Sequence, residues 1–163
     1  MKLEFGYGEG VQEVDIPDRN LLAVLESNPM NHERKGAEAV SYGLENPIGS
    51  PKLRNLVRAG QKIAIVTSDI SRPLPSSQIL PPVLEELYIA GVPRENITVV
   101  FALGSHRRHS EEEKIRLVGE QCYSQVRCID SDSEDYVHMG VTKRGTPVDI
   151  TRSVADSEVR FCN

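Results

Sequence analysis

The sequence has few cysteines, no long apolar run and no signal region, which are the features of disulfide-rich, membrane-spanning and secreted proteins. Its three cysteines are odd in number and lack the spacing typical of zinc ligands, so neither a disulfide framework nor a zinc site is predicted. No apolar run approaches the ~20 residues that span a bilayer. The N-terminus also has no apolar signal region. We therefore expect a cytoplasmic protein without a membrane partner.

Two nucleotide-binding patterns and a basic surface are also missing. Neither a Walker-type loop nor a G-x-G-x-x-G pattern occurs, so ordinary nucleoside triphosphate or dinucleotide binding has no support. The formal net charge of -5 argues against broad nucleic-acid binding, which needs a basic face. With 163 residues, 39% hydrophobic and 26% charged, the chain is predicted to be globular with a core of ordinary domain size.

Apolar runs predict a parallel sheet. Residues 61–67 and 97–103 are nearly continuous in apolar residues, as expected for strands covered on both faces. A helix that ends at Ala90 lies between them, which gives a strand–helix–strand unit with parallel strands. Two more strands are predicted over 125–129 and 158–162. The carboxyl ends of parallel strands share one edge of the sheet, where ligands of such folds bind.

The flanking segments complete the predicted fold. Alternation over 2–16 and 136–150 predicts an N-terminal and a C-terminal β-hairpin. The short apolar run Leu21–Leu25 predicts another strand or a buried segment. We expect an α/β fold: a three-layer, Rossmann-like sandwich with a mostly parallel sheet plus the two hairpins.

Helix boundaries are set by proline and by a capping motif. The helix before Ala90 begins between Ser76 and Leu80, and the prolines at 81 and 82 favour the later start, because proline fits best in a first turn. Ser110 and Glu113 match a capping box, which predicts a helix that starts here, directly after the second polar loop.

The loop after the strand 61–67 carries a carboxylate, a hydroxyl and a guanidinium within four positions, Asp69–Arg72. Pro73 favours an extended backbone at Arg72, which helps its side chain project from the strand end. Arginine is suited to bidentate binding of a carboxylate or phosphate, and the loop amides are expected to add anion affinity. The alternative is that Asp69 and Arg72 simply pair and cap the loop.

The loop after the strand 97–103 offers a flexible Gly104 and then His106. An imidazole has an unperturbed pKa of about 6.5 and suits proton transfer, although a lone histidine also serves as a surface or capping residue. His109 lies beside the helix cap and is predicted to be structural. Arg107 and Arg108 either bind an anion or are surface residues at the start of the helix without a binding role.

Five short segments carry a resemblance to a known family. They are Tyr7–Gly10, Asn46–Gly49, Ser68–Pro73, Ala102–Arg107 and Gly145–Val148. In this order they resemble the nickel-dependent lactate racemase family (LarA-like proteins). The resemblance extends over essentially the whole chain.

The resemblance implies a racemase or epimerase of an α-hydroxy acid, such as lactate or a related 2-hydroxy acid. Its cofactor would be a nickel-pincer nucleotide, a pyridinium mononucleotide with a nickel–carbon bond, which takes a hydride from the substrate's α-carbon. Asp69, Ile70, Ser71 and Arg72 resemble the loop that contacts this cofactor, and Arg72 would also bind the substrate carboxylate. His106 resembles one of two catalytic histidines, and no metal ligand is implied among these residues.

The family's second catalytic histidine, its nickel-ligating histidine and its cofactor-bearing lysine belong to later segments without a match here. The resemblance therefore implies that residues 1–163 are the N-terminal portion of a larger two-domain enzyme, inactive alone and without bound cofactor. One alternative is a non-catalytic anion- or nucleotide-binding α/β module. Another is an α/β domain in which Asp69, Arg72 and His106 only cap loops.

Overall fold

The computed structural model describes every residue, from Met1 to Asn163, and the chain divides into two compact units, Met1–Glu33 and Arg34–Asn163. The strands are β1 (Lys2–Tyr7), β2 (Gly10–Asp15), β3 (Ile63–Ser68), β4 (Ile97–Ala102), β5 (Arg127–Asp130), β6 (Tyr136–Val141), β7 (Pro147–Thr151) and β8 (Val159–Cys162). The helices are α1 (Gly36–Glu45), α2 (Leu53–Leu56), α3 (Ser76–Ile89), α4 (Glu111–Val118), α5 (Glu120–Gln125) and α6 (Arg152–Ala155). None of these helices has both the length and the apolar character that crossing a bilayer requires.

The N-terminal unit contains the predicted hairpin. β1 and β2 pair antiparallel from Lys2↔Asp15 to Tyr7↔Gly10, and the turn uses Gly8 with a φ of 61°. The prediction of a strand or buried segment over Leu21–Leu25 is wrong, because these residues form no strand and the side chain of Leu25 is 93% exposed. No residue of the hairpin is buried, so this unit offers no interior for the apolar run to enter.

The second unit is built on a four-stranded sheet in the order β5-β4-β3-β8, and every neighbouring pair is parallel. β3 and β4 occupy the middle and are nearly fully buried, which explains their continuous apolar sequence. Helices connect these strands, as parallel pairing requires. The α/β fold with a parallel sheet, together with an N-terminal and a C-terminal hairpin, is thereby confirmed.

The two faces of the sheet are covered differently. Helices α1 to α5 lie on one face, where side chains such as Ile65, Leu84 and Phe101 form the larger hydrophobic core. The opposite face carries α6 and the hairpin β6–β7, which contribute Val154 and Ile150 to a smaller cluster. The sheet is therefore the middle of three layers.

The helix α3 begins earlier than its prolines suggest. It starts at Ser76, and Pro81 and Pro82 lie inside it, so the prediction of a later start is wrong. The hydroxyl of Ser76 is buried and lies 2.8 Å from the Thr67 hydroxyl at the end of β3. This contact and the buried apolar face of α3 offset the amide hydrogen bonds that the two prolines remove.

The strand order places a crevice at a defined point. β3 is the first strand of the sheet in the chain, and its neighbours are the second strand, β4, on one side and the last, β8, on the other. Such a reversal of strand order opens a crevice outside the carboxyl ends of the strands. The loops after β3 and β4 both emerge there.

Candidate functional site

A cavity of about 390 Å³ lies at the carboxyl ends of β3, β4 and β8. Its wall includes Asp69 and Arg72 from the first loop, Gly104 and His106 from the second, and Asn163 after β8. A larger, apolar groove of about 620 Å³ lies beside Met139. The position of the smaller cavity at the strand reversal and its titratable side chains identify it as the candidate site.

Asp69 and His106 are in contact at this cavity, although they lie 37 positions apart in the sequence. The imidazole Nδ1 of His106 forms a hydrogen bond with Asp69 Oδ2. A carboxylate can only accept, so this partner assigns the imidazole proton to Nδ1 and leaves Nε2 as the basic nitrogen. The His106 side chain is 51% exposed, whereas that of Asp69 is 5% exposed.

The Asp69 carboxylate is held ionised by its neighbours. Ser71 donates to Asp69 Oδ1 from its hydroxyl at 2.7 Å and from its amide at 3.3 Å. The Ser71 hydroxyl and then His106 hold the pKa of the Asp69 carboxyl below its ordinary value, against the opposing effect of burial. The anion therefore persists to low pH and continues to orient the imidazole of His106.

A tight turn at the start of the second loop positions His106. The His106 amide donates to the Leu103 carbonyl at 3.0 Å, and Gly104 has a φ of 58° in the left-handed region. A residue with a Cβ adopts this conformation only at a cost, so glycine favours the turn. The turn presents His106 to the end of β3.

The guanidinium of Arg72 has no carboxylate or carbonyl partner within the chain, while its amide donates to the Asp69 carbonyl at 3.2 Å. The alternative that Asp69 and Arg72 pair to cap the loop is therefore not what the structure contains. Asp69 uses Ser71 and His106 instead. An unpaired guanidinium on a cavity wall is free to bind an anion from solution.

Other expected anion-binding groups have internal partners. The Ile70 amide donates to His109 Nε2 at 3.1 Å, and the two following amides donate to Asp69, so these amides of the first loop are not free. Arg107 forms a two-point pair with Glu113, and Arg108 pairs with Asp132 at 2.9 Å. Anion binding by these amides and arginines, which the sequence left open, would therefore compete with internal bonds.

His109 links the two loops, a role that the sequence did not reveal. Its buried imidazole joins the Ile70 amide to Asp130 Oδ1, which lies 2.6 Å from Nδ1. The sequence predicted a structural His109 from its place beside the helix cap. Its partners could not be found, because Asp130 comes from the end of β5 and only sheet pairing brings it near.

The chain is similar to known proteins over nearly its whole length. A family model described as lactate racemase N-terminal domain matches residues 7–163. Two curated proteins named lactate racemase match 96% of this chain, at 28% identity in Thermoanaerobacterium thermosaccharolyticum and 30% in Lactiplantibacillus plantarum. The solved structure of the lactate racemase apoprotein from T. thermosaccharolyticum superimposes with a TM-score of 0.80 over 99% of this chain, at 28% identity. The chain spans 38% of the length of each of these relatives.

Proposed function

The chain belongs to the lactate racemase N-terminal domain family, and from this premise we propose that its cavity is one half of a racemase site for a 2-hydroxy acid. The proposal rests on one observation: an unpaired guanidinium, Arg72, shares a cavity with an imidazole that a carboxylate orients. These are the groups that binding a hydroxy acid and moving its hydroxyl proton require. Lactate and larger 2-hydroxy acids share this chemistry.

Arg72 is the proposed binding group for the substrate carboxylate. Its guanidinium offers parallel N–H donors that match the two oxygens of a carboxylate. No carboxylate of the chain occupies these donors. A bound substrate would therefore gain a charge-assisted pair without displacing an internal one.

His106 is the proposed acid and base. Its Nε2 accepts the hydroxyl proton as the alcohol is oxidised and returns that proton as the alcohol re-forms. Asp69 stabilises the imidazolium that exists between these two transfers and keeps the ring oriented. Racemisation also needs a base on the opposite face. His109 cannot serve, because both of its ring nitrogens have buried partners. We place that second base outside residues 1–163.

A flat anionic nucleotide is compatible with the first loop. Ile70 exposes 36% of its surface as an apolar contact, and Arg72 supplies a positive charge beside it. Two side-chain atoms of Asn163, Oδ1 and Nδ2, are buried at the cavity wall without a partner, which favours a polar ligand. A nickel-pincer nucleotide, when bound, would accept the hydride that leaves the substrate's α-carbon. No group of three potential metal ligands occurs in the chain, so we propose that nickel is held by the nucleotide and by groups beyond these residues.

The test compares the Arg72→Ala variant with an Arg58→Ala control. Arg58 is exposed, lies ahead of β3 and loses the same charge when replaced. Losing one charge-assisted pair of about 1.5–3 kcal/mol weakens lactate binding about 10- to 100-fold in Arg72→Ala, measured by calorimetry. The Arg58→Ala variant is expected to bind as the wild type does. Equal binding by all three proteins would contradict the proposal.

A second measurement separates catalysis from binding alone. We expect residues 1–163 alone, with added cofactor, to interconvert no D- and L-lactate, because His106 is the one base that we propose among them. In the complete enzyme, His106→Ala is expected to abolish interconversion while lactate binding persists. If His106→Ala leaves interconversion unchanged, the proposed base is wrong, and binding through Arg72 would then favour a non-catalytic anion-binding module.

A further inference from the structure

His109 forms the centre of a buried hydrogen-bonded chain between the strand ends. Its side chain is 1% exposed, and that of Asp130 is 4% exposed. The Ile70 amide donates to Nε2 at 3.1 Å, so the ring proton lies on Nδ1, which donates to Asp130 Oδ1 at 2.6 Å. Both ring nitrogens are therefore hydrogen-bonded, one to the loop after β3 and the other to the end of β5.

Two further groups hold the Asp130 carboxylate, and one aromatic ring packs against the imidazole. Asp130 Oδ2 accepts from the His109 amide at 3.0 Å, and Lys114 Nζ lies 3.8 Å from the same oxygen. The imidazole and the ring of Phe101 in β4 form an edge-type pair, with ring centroids 5.3 Å apart and planes at 66°. A fully partnered, buried network of this kind has one orientation.

This rigid ring acts on the loop that contacts His106. Ile70 lies between Asp69, whose carboxylate bonds His106, and Ser71, whose hydroxyl bonds that carboxylate. Ile70 is itself anchored by its amide to His109. We propose that His109 is a positioning residue that holds Asp69 against His106 through the Ile70 amide. The inference rests on the proposed function for its catalytic consequence, but the contact it names can be measured without turnover.

Two variants of His109 distinguish a residue that positions Asp69 from one that only stabilises the fold. The glutamine side chain places its amide oxygen near the Nε2 position, so His109→Gln retains an acceptor for the Ile70 amide and loses the bond to Asp130. The asparagine side chain reaches only the Nδ1 position, so His109→Asn retains the donor to Asp130 and loses the acceptor for Ile70. Each variant removes one of the two buried bonds, and both are expected to lower stability.

The primary readout is the imidazole NMR spectrum of His106, in which the Nδ1 proton bonded to Asp69 gives a low-field signal. We expect this signal to persist in His109→Gln and to be lost in His109→Asn. In the complete enzyme, His109→Asn is expected to lower kcat about 10- to 100-fold, the range known for residues that orient metal ligands through a hydrogen bond, with KM little changed. An unchanged signal in His109→Asn, or its loss in both variants, would overturn the proposal.

A measurement on the wild type covers the case in which His109→Asn fails to fold. Scalar coupling between the Ile70 amide nitrogen and His109 Nε2 reports their hydrogen bond directly, and its absence would also overturn the proposal. If Arg72→Ala leaves lactate binding unchanged while the His109 variants behave as expected, only the proposed function fails. If lactate binding depends on Arg72 but the His106 signal is the same in the His109 variants as in the wild type, only this inference fails.

Discussion

Replacing Asp69 with asparagine tests the central contact of the site with almost no change in shape. In Asp69→Asn, the amide oxygen that takes the place of Oδ1 can still accept from both donors of Ser71, which lie at 2.7 and 3.3 Å in the wild type. The amide nitrogen then faces His106 Nδ1, and a donor facing a donor is unfavourable. We expect the imidazole to move its proton to Nε2 and to accept at Nδ1.

The size of the effect follows from the bonds that change. The Asp69 carboxylate accepts three hydrogen bonds, of which the two from Ser71 are kept and the one with His106 reverses its direction. All three lose their ionised partner, and a bond to a charged group contributes about 1.5–3 kcal/mol against about 1 kcal/mol for a neutral one. Burial of residue 69 favours the neutral side chain and offsets part of this loss. Because His106 is 51% exposed, solvent reduces this loss, and we expect Asp69→Asn to lower the free energy of unfolding by about 1 kcal/mol. Catalysis is expected to suffer far more. With Nε2 protonated no base is available, and the corresponding change in serine proteases lowers kcat about 10⁴-fold.

The assay pairs urea unfolding with imidazole NMR, and Ser71→Ala is the matched control. Ser71→Ala removes the hydroxyl donor to Asp69 but leaves the carboxylate facing His106. We expect a loss of about 1 kcal/mol in stability with the Nδ1-protonated tautomer intact. If Asp69→Asn also retains the Nδ1 proton on His106, the carboxylate does not set the tautomer, and the expected loss of the base is refuted.

Two further predictions concern stability. Arg107 and the Ser110 amide lower the pKa of Glu113 to about 2, so its stabilising contribution is complete above its unfolded pKa of about 4.3 and is lost as pH falls toward 2. The melting temperature is expected to fall across that window, and less steeply in Glu113→Gln; equal slopes would contradict this. Arg54→Met leaves the buried Glu86 carboxylate without its two-point guanidinium partner and is expected to cost about 1–3 kcal/mol in urea unfolding, reduced because Arg54 is 27% exposed. Lys52→Met, which removes only an exposed pair, is the control, and an equal loss there would contradict the dependence on burial.

Local sequence patterns predicted the elements that local physics controls. The capping box at Ser110 and Glu113 is present with both of its hydrogen bonds, and the helix ends at Val118. The strand 97–103 was located within one residue, because its apolar run is bounded by turn residues. The helix α3 starts at Ser76, the early bound of its predicted range, and only the preference for a later start was wrong, since a buried contact between Ser76 and Thr67 outweighs the local preference of the prolines.

The candidate site was predicted only as a neighbourhood. Parallel pairing of β3 and β4 brings Asp69 and His106 to one edge, and the strand–helix–strand pattern contains that information. The pattern did not show which groups pair at that edge. One alternative paired Asp69 with Arg72, whereas the Asp69 carboxylate bonds Ser71 and His106. The catalytic and binding roles of these residues stay predictions.

The sequence by itself determined which residues reach the carboxyl edge of the sheet, because strand position and chain order follow from apolar runs, turns and caps. Only the tertiary structure decided which side chains are free. The Arg72 guanidinium has no internal partner, whereas those of Arg107 and Arg108 have carboxylate partners. His109 is bound by groups at the ends of two different strands. Hydrogen bonds are short and directional, so their partners depend on distances of a few ångströms between residues far apart in the chain.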